Sequence, residues 1–374
     1  MTPAHAHQRR LLLKGLALTT VAALPATHFA QSVSPNPRQF APQPGQWRTF
    51  EVTTRVDILH PQGATRLWLP VPSVNTDWQK SMESSYTGNG KASLTSDGRY
   101  GARMLYVEFS ASETQPHVEL TSRIQTQNRA VDWQTKQGTP EDAVTLKYWT
   151  QPTDLLPTDG IVRKTATEAI RGARTDVEKA QQLYDWIVAN TFREPKVSGC
   201  GEGDIKTMLE TGNLGGKCAD LNALFVGLCR SVGLPARDVY GIRVAPSAFG
   251  YKELGGNPAN LKGAQHCRAE VYLNGYGWVA MDPADVAKVM RQETPEWIKS
   301  PHNAIVRPVN QALFGGWEGN WMAYNMAHDV QLPNAKGPAL GFMMYPVAEN
   351  DSGRFNSYAP DDFKYQISAK EIVV

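Results

Sequence analysis

The sequence predicts an α+β protein in which a small all-β, sandwich-like domain precedes a core made of a cysteine-bearing helix packed on an antiparallel sheet. Three patterns predict this arrangement. Apolar side chains recur at the two-residue period of strands over residues 47–130, and at the period of helices over 155–192. A thiol, Cys218, then opens another helical pattern, and strand-like segments follow it as far as Asp282.

The first 30 residues have the pattern of an export signal. Arg9 and Arg10 precede an apolar run over residues 15–24 and then several small residues, as in a twin-arginine signal peptide. Gln8 and Leu12 depart from the usual form of that signal, so a general secretory signal stays open. The apolar run is far shorter than the ~20 residues that span a membrane. We therefore expect a periplasmic or secreted protein without a stable membrane span.

Composition excludes some classes of partner. Removal of the signal takes away three cationic side chains and changes the formal net charge from +2 to −1. This leaves no global basic field that would attract nucleic acid or an anionic membrane. Residues 31–46 are rich in Pro, Ser, Gln and Asn, and they predict a linker.

Residues 47–135 predict the N-terminal β domain. Apolar and polar residues alternate in four segments, separated by turn-forming Pro-Gln-Gly and Ser-Asp-Gly: 50–56, 66–71, 102–109 and 117–126. No cluster here suggests catalysis. The domain could guide a substrate or bind a partner, or it could serve packing alone.

Residues 150–290 predict the core. A helix over 160–170 closes at Gly172, and a second begins with Thr175 and Glu178 at the spacing of a capping box. The second helix should pack against the helix that begins at Cys218 and ends before Gly233. A strand follows over 240–244.

A thiol at a helix N-terminus is a candidate nucleophile. Only the thiolate is a good nucleophile, and an ordinary cysteine with a pKa of ~8.5 is mostly protonated near neutrality. The helix dipole contributes only ~0.3–1 kcal/mol, less than one pKa unit. A cationic partner is therefore needed, and an imidazolium is the natural choice.

His266 is the histidine that best fits this role. It begins the segment HCRAEVYL, which continues through the turn-rich NGYG to WVAMDPAD, the pattern of a hairpin that ends at Asp282. A carboxylate that orients one imidazole nitrogen leaves the other free to share a proton with sulfur. His266 and Asp282 can meet only if the loop has an odd number of residues, a bulge intervenes, or Asp282 turns in beyond the strand end.

The segments GGKCADLNALFVGLCRSVGLPAR and QHCRAEVYLNGYGWVAMDPAD resemble the transglutaminase-like superfamily, which has a papain-like fold. The similarity covers about residues 176–285. It implies that Cys218 is the nucleophile, His266 the acid and base, and Asp282 the orienting group. It says little about the substrate.

The remaining cysteines could instead form a disulfide or bind a metal. Cys200 and Cys267 form the disulfide that we would test first, whereas Cys218 and Cys229 lie too far apart on one helix to be bridged. A zinc site built from Cys200, Cys218, His266 and Asp282 is a further alternative, although no CxxC or HExxH motif accompanies these residues. No cofactor motif is present, and we expect neither a metal nor a cofactor.

Two segments should border the site. The long connection over residues 245–263 delivers His266, and Phe249 and Tyr251 are its candidate substrate contacts. An uninvolved surface insertion is the alternative. Residues 291–374 are too apolar for a free tail, so we expect a C-terminal extension that packs on the core and ends in a strand over 363–373.

These groups predict chemistry on an amide bond of a protein or peptide. Sulfur attacks the carbonyl, a thioester forms, and the acyl group passes to water or to an amine. A peptidase or amidase hydrolase is the first hypothesis, and a cross-linking protein-glutamine acyltransferase is the second. An inert peptide-binding module on the same fold is the third. The sequence does not indicate the oligomeric state.

Overall fold

The N-terminal part of the chain consists of strands. The computed structural model describes residues 38–358 and 364–373, so the predicted signal peptide and residues 31–37 of the predicted linker lie outside the described residues. The strands of this part are β1 (Arg48–Asp57), β2 (Thr65–Pro70), β3 (Gln79–Gly88), β4 (Lys91–Ser96), β5 (Arg103–Phe109), β6 (His117–Thr126) and β7 (Arg129–Ala130).

A mixture of helices and strands follows over residues 143–292, a range slightly wider than the predicted core. They are α1 (Ala143–Tyr148), α2 (Gly160–Ala169), α3 (Asp176–Asn190), β8 (Phe192–Arg193), α4 (Ile205–Thr211), β9 (Gly215–Gly216), α5 (Cys218–Ser231), β10 (Ala236–Arg243), β11 (Gln265–Leu273), β12 (Gly277–Met281) and α6 (Pro283–Gln292).

Short strands dominate the C-terminal part. Its elements are α7 (Arg307–Ala312), β13 (Gly316–Trp317), β14 (Trp321–Asn325), β15 (His328–Val330), β16 (Leu340–Phe342), β17 (Val347–Asn350), β18 (Gly353–Arg354) and β19 (Lys364–Ile372).

Two antiparallel sheets form the β-rich region, one in the order β19-β1-β6-β3 and the other in the order β18-β17-β2-β5-β4. Alternate side chains of both sheets lie in one hydrophobic core, among them Val52 and Leu120 of the first sheet and Leu67 and Val107 of the second. The period-two pattern of the sequence therefore produces a sandwich-like arrangement, as predicted.

The C-terminal segment completes both sheets. β19 pairs with β1 over nine residues, from Thr49 opposite Ile372 to Asp57 opposite Lys364. β17 pairs with β2 in the other sheet. The predicted terminal strand is present, but its hydrogen-bonding partner is the N-terminal strand β1, because antiparallel pairing satisfies the backbone groups of an edge strand.

The core sheet has the order β12-β11-β10-β14 and is antiparallel throughout. All fourteen residues of α5 are buried, and this helix packs on β10 and β11. α3 lies beside it and begins with the predicted capping box, in which Thr175 and Glu178 each accept from the other's backbone. α5 is thus enclosed on its sides, and its N-terminus ends at a cleft.

The described residues form one compact unit. Within residues 38–358 and 364–373, no helix has both the length and the apolar character needed to cross a bilayer.

Candidate active site

Cys218 is the first residue of α5, and its surroundings fix the start of this helix. Asp220 in the first turn accepts hydrogen bonds from the backbone N–H groups of Lys217 (2.8 Å), Glu202 (3.0 Å) and Gly203 (2.9 Å). The backbone N–H of Ala219 donates to the carbonyl of Cys200 at 2.9 Å. The loop before α4 is therefore tied to the helix start, and it brings Cys200 beside Cys218.

His266 lies near the start of β11 and is 2 % exposed. Its Nε2 atom lies 2.7 Å from Oδ2 of Asp282 and 3.3 Å from Oδ2 of Asp285. The carboxylates therefore engage Nε2, and Nδ1 is the nitrogen left to exchange a proton with sulfur. Trp321 fixes the backbone here, because its indole N–H donates to the His266 carbonyl at 2.9 Å.

The hairpin meets the geometric condition for this contact. Leu273 pairs with Gly277, so the loop holds three residues, and Ala269 pairs with Met281. An odd loop places Asp282 on the same face of the sheet as His266. Gly275 and Gly277 have φ values of 86° and 74°, the left-handed conformation that glycine adopts without strain.

Asp282 is fully buried and has several partners. Its Oδ1 accepts from the side-chain amide of Asn222 at 3.1 Å and from the backbone N–H of Asp285 at 3.1 Å. Asp282 is thereby the N-cap of α6, with Pro283 at the first helical position. The Asp282 carboxylate is therefore held by α5, through Asn222, and by α6, through the backbone of Asp285.

Sequence reasoning missed Asp285 and Arg243. Both side chains are buried, and a guanidinium nitrogen of Arg243 lies 2.5 and 2.7 Å from the two oxygens of Asp285. The Asp-Pro-Ala-Asp segment was a usable signal for α6, since it combines an N-cap, a proline at N1 and an acidic first turn. The ion pair joins residues 42 positions apart, so no local pattern indicates it.

Electrostatics favour a charged thiol–imidazole pair. Burial alone would raise the pKa of Cys218, but hydrogen bonds with Cys200, Cys267 and His266, together with the imidazolium charge, hold it well below the ordinary cysteine value. Burial and Arg243 oppose protonation of His266, yet Asp285 and Asp282 outweigh them and raise its pKa to about 9. Such a pair titrates as a unit.

The described cysteines are free thiols, so the Cys200–Cys267 disulfide considered above is not formed. Cys200 instead donates to the carbonyl of Gln265 at 3.2 Å and accepts from the hydroxyl of Tyr345 at 3.1 Å. Interactions with Cys200 and Cys267 both lower the pKa of Cys218. Cys229 lies deeper along α5 and is buried in the core.

A cleft of 360 Å³ opens over the thiol. It is lined by Arg193, Gly199, Cys200, Lys217, Cys218, Arg243, Asn260, Lys262, Gly263, Gln265, His266, Lys288, Tyr345, Tyr358 and Tyr365. The end of the 245–263 connection and the C-terminal segment therefore both wall the cleft.

The expectation for Phe249 and Tyr251 is corrected. Neither lines the cleft; their rings pack on Phe40, with centroids 5.0 and 5.7 Å from it. The Tyr251 hydroxyl donates to the carbonyl of Ile305 at 2.7 Å. These aromatic side chains bury apolar area in the core, which is the usual role of large rings.

Ligand atoms of His266, Asp282 and Asp285 lie within 4.8 Å of one another, close enough to hold a cation together. Two guanidinium groups already neutralise these carboxylates. Arg243 is paired with Asp285, and the Arg268 Nε atom lies 3.6 Å from Asp282. A metal ion would have to displace those charges, so the donor set fits an ion-pair network better than a metal site.

Comparison with known proteins identifies the family of this chain. Residues 163–283 match the family model of the transglutaminase-like superfamily. An uncharacterized protein of Haemophilus influenzae is 34% identical over 343 residues, which are 86% of this chain and 91% of that protein. Its description gives no activity.

One solved structure shares the fold, and a second has a lower similarity. A candidate cysteine protease from Cytophaga hutchinsonii is similar at a TM-score of 0.50 and 16% identity, over 88% of this chain and 99% of that one. The periplasmic domain of TgpA from Pseudomonas aeruginosa has a TM-score of 0.33 and 16% identity, over 68% of this chain and 94% of that one. The chain belongs to the transglutaminase-like superfamily.

Proposed function

We propose that this protein is an exported thiol hydrolase that cleaves an amide bond through a thioester, with Cys218 as nucleophile, His266 as acid and base, and Asp282 as the orienting group. The observation that carries the proposal is the engagement of His266 Nε2 by Asp282 at 2.7 Å, which leaves Nδ1 for the sulfur. Export is inferred from the signal pattern of residues 1–30.

In the acylation step the Cys218 thiolate attacks the amide carbon and forms a tetrahedral oxyanion. His266 gives its proton to the leaving amine as the carbon–nitrogen bond breaks. A water molecule then gives a proton to His266 and attacks the thioester. Collapse of the second tetrahedral intermediate releases the acid and restores the thiolate–imidazolium pair.

Two N–H groups are candidates to stabilise the oxyanion. One is the backbone N–H of Cys218 itself, at the positive end of α5. The other is the side-chain amide of Gln265, whose Oε1 accepts from the backbone N–H of Gly263 at 3.0 Å. Its Nε2 is buried without a partner among the described residues, and Gln265 lines the cleft.

The charge of the cleft favours water over an amine as acceptor. Arg193, Lys217, Lys262 and Lys288 line it, and among the described lining residues none is a carboxylate. A lysine side chain or a polyamine carries a positive charge at neutral pH, and like charges repel each other in a partly desolvated site. Hydrolysis is therefore proposed ahead of transfer.

Ammonia release from glutamine peptides tests the proposal. We expect turnover by the protein without its signal peptide, loss of turnover in Cys218→Ala, and no diversion to an added primary amine. Incorporation of the amine in place of hydrolysis would favour the acyltransferase. If a panel of glutamine, asparagine and backbone amides gives no turnover, and alkylation of Cys218 is equally fast in His266→Ala, an inert binding module is favoured.

A further inference from the structure

Besides Arg243, which is paired with Asp285, four cations of the cleft come from separate parts of the fold. Arg193 belongs to β8, Lys217 precedes α5, Lys262 lies in the connection to β11, and Lys288 lies on α6. Folding thus gathers positive charge around the nucleophile in a protein whose overall charge is small.

Three of these four cations have no carboxylate partner among the described residues, and Lys288 is the exception. Lys288 donates to the backbone carbonyl of Glu253 at 2.7 Å and lies 3.4 Å from its carboxylate. Arg193 donates from Nε to the neutral side chain of Gln292 at 3.0 Å. Among the described residues, no carboxylate lies within ion-pair distance of Arg193, Lys217 or Lys262. The carboxylate of Asp220, near Lys217, is occupied by backbone N–H groups.

The like charges of the cleft lie close enough together to lower the pKa of two lysines. Burial and the nearby guanidinium of Arg193 lower the pKa of Lys217. Burial and Arg243 lower the pKa of Lys288 to about 8, and Arg193 contributes to that shift as well. A bound anion would relieve this repulsion.

A neutral donor in the same cleft is also without a partner. The side chain of Gln265 is 4 % exposed, and its Nε2 is unsatisfied within the described part of the chain. Buried amide groups of this kind normally have a hydrogen-bond acceptor. An incoming oxygen atom would supply one.

We infer that Arg193, Lys217, Lys262 and Lys288 form an anion subsite beside Cys218, and that the substrate is an amide carrying a carboxylate close to the bond that is cleaved, as in an acidic peptide. The second part of this inference, the class of substrate, rests on the proposed function. The subsite itself can be tested without turnover.

Alkylation by two reagents of different charge measures the subsite directly. Iodoacetate is an anion and iodoacetamide is neutral, yet both alkylate the same thiolate, so their rate ratio at Cys218 reports the local potential. Mass spectrometry of the modified peptide confines the measurement to Cys218. The experiment is done on the chain without its signal peptide at low ionic strength, where the screening length is about 30 Å.

The test variants are Arg193→Gln, Lys262→Gln and the double variant. Arg193 is half-buried and Lys262 is exposed, so neither substitution disturbs the core. Two unit charges separated by about 8 Å at an effective dielectric constant of about 40 change a rate about six-fold. We expect the iodoacetate to iodoacetamide ratio to fall several-fold in each single variant and further in the double variant. Both rates are measured at a pH where the Cys218 thiol is fully ionised in every variant, so the rate with neutral iodoacetamide should stay unchanged.

Lys91→Gln is the matched control, because Lys91 is an exposed lysine in β4 that does not line the cleft. It should leave the ratio unchanged. A ratio that is the same in wild type and in the double variant, with iodoacetamide still reacting normally, would overturn the subsite. An unchanged iodoacetamide rate also shows that the variant is folded around its thiol.

Matched peptides then test the substrate class. Glutamine peptides that differ only in a neighbouring Glu, Gln or Lys should be hydrolysed with kcat/KM in that order, mostly through KM, and Lys262→Glu should weaken this preference. Turnover without a preference would reject the acidic substrate while leaving the hydrolase intact. Absence of turnover of glutamine, asparagine and backbone amides alike would reject the hydrolase, and the alkylation ratio would still decide on the subsite.

Discussion

Oδ2 of Asp282 lies 2.7 Å from Nε2 of His266, and this contact depends on the three-residue turn between Leu273 and Gly277. A four-residue turn would move Asp282 to the other face of the sheet, since side chains alternate along a strand. The turn therefore places the carboxylate, and the carboxylate fixes which imidazole nitrogen is free.

The pH dependence of turnover should have its upper limit near the pKa of His266. This pKa is raised to about 9, so the imidazolium survives through neutral pH and is lost as the pH rises through about 9. We expect kcat/KM to fall there, because the leaving amine can no longer be protonated. A plateau that extends well beyond that value would show that His266 is not the acid. Lys91→Gln should give the wild-type profile.

Asp282→Asn and Asp282→Ala separate the two roles of this residue. Asparagine can still cap α6 but carries no charge, so we expect kcat to fall by about 10²–10⁴ with little change in stability. Alanine removes the cap as well and should cost roughly a further 1 kcal/mol in urea unfolding. Equal activity of Asp282→Asn and wild type would contradict the orienting role.

Gly201→Ala should disturb the nucleophile from a distance. Gly201 has φ of 90°, and an added Cβ would overlap Oδ2 of Asp220, the carboxylate that ties the loop to α5. We expect a loss of about 1–3 kcal/mol in unfolding free energy, together with slower alkylation of Cys218. The matched control is Gly212→Ala, where φ is 69° but the space is open. Gly212→Ala should lower the unfolding free energy without slowing the alkylation of Cys218. If alkylation were slower in this control too, the effect of Gly201→Ala could not be assigned to Asp220.

Cys200→Ala should raise the pKa of Cys218. The hydrogen bond with Cys200 is the largest of the interactions that lower this pKa. We expect the acid side of the alkylation profile to move to higher pH. Cys229→Ala is the control, because Cys229 is a buried thiol on the same helix that does not contact Cys218. A profile that stays in place in Cys200→Ala would contradict the role of Cys200 and leave His266 and Cys267 as the causes of the low pKa.

Much of the core could be predicted because its patterns are local. The helix at Cys218, the capping box at Thr175 and the hairpin after His266 each follow from short-range spacing, and each is present. β3 and β4 were not predicted. Both lie at sheet edges and are largely exposed, so they lack the apolar alternation that marks a half-buried strand.

The rest depends on contacts between distant segments. The pairing of Arg243 with Asp285, and of β19 with β1, joins parts of the chain that no periodicity connects. The cationic lining of the cleft is likewise invisible as a charge run, because its members are scattered from Arg193 to Lys288. The substrate contacts predicted at Phe249 and Tyr251 were wrong for a related reason: aromatic residues in a long loop can serve either a site or the core, and here they serve the core.

Titration of the Cys218 thiolate by its ultraviolet absorbance, with Cys218→Ala as the blank, measures the proposed ion pair directly. In the wild type we predict ionisation well below the ordinary cysteine pKa of about 8.5, and in His266→Ala a return to that value or above it. A thiol that titrates in the ordinary range in the wild type, or at the same pH in both proteins, would contradict the thiolate–imidazolium pair.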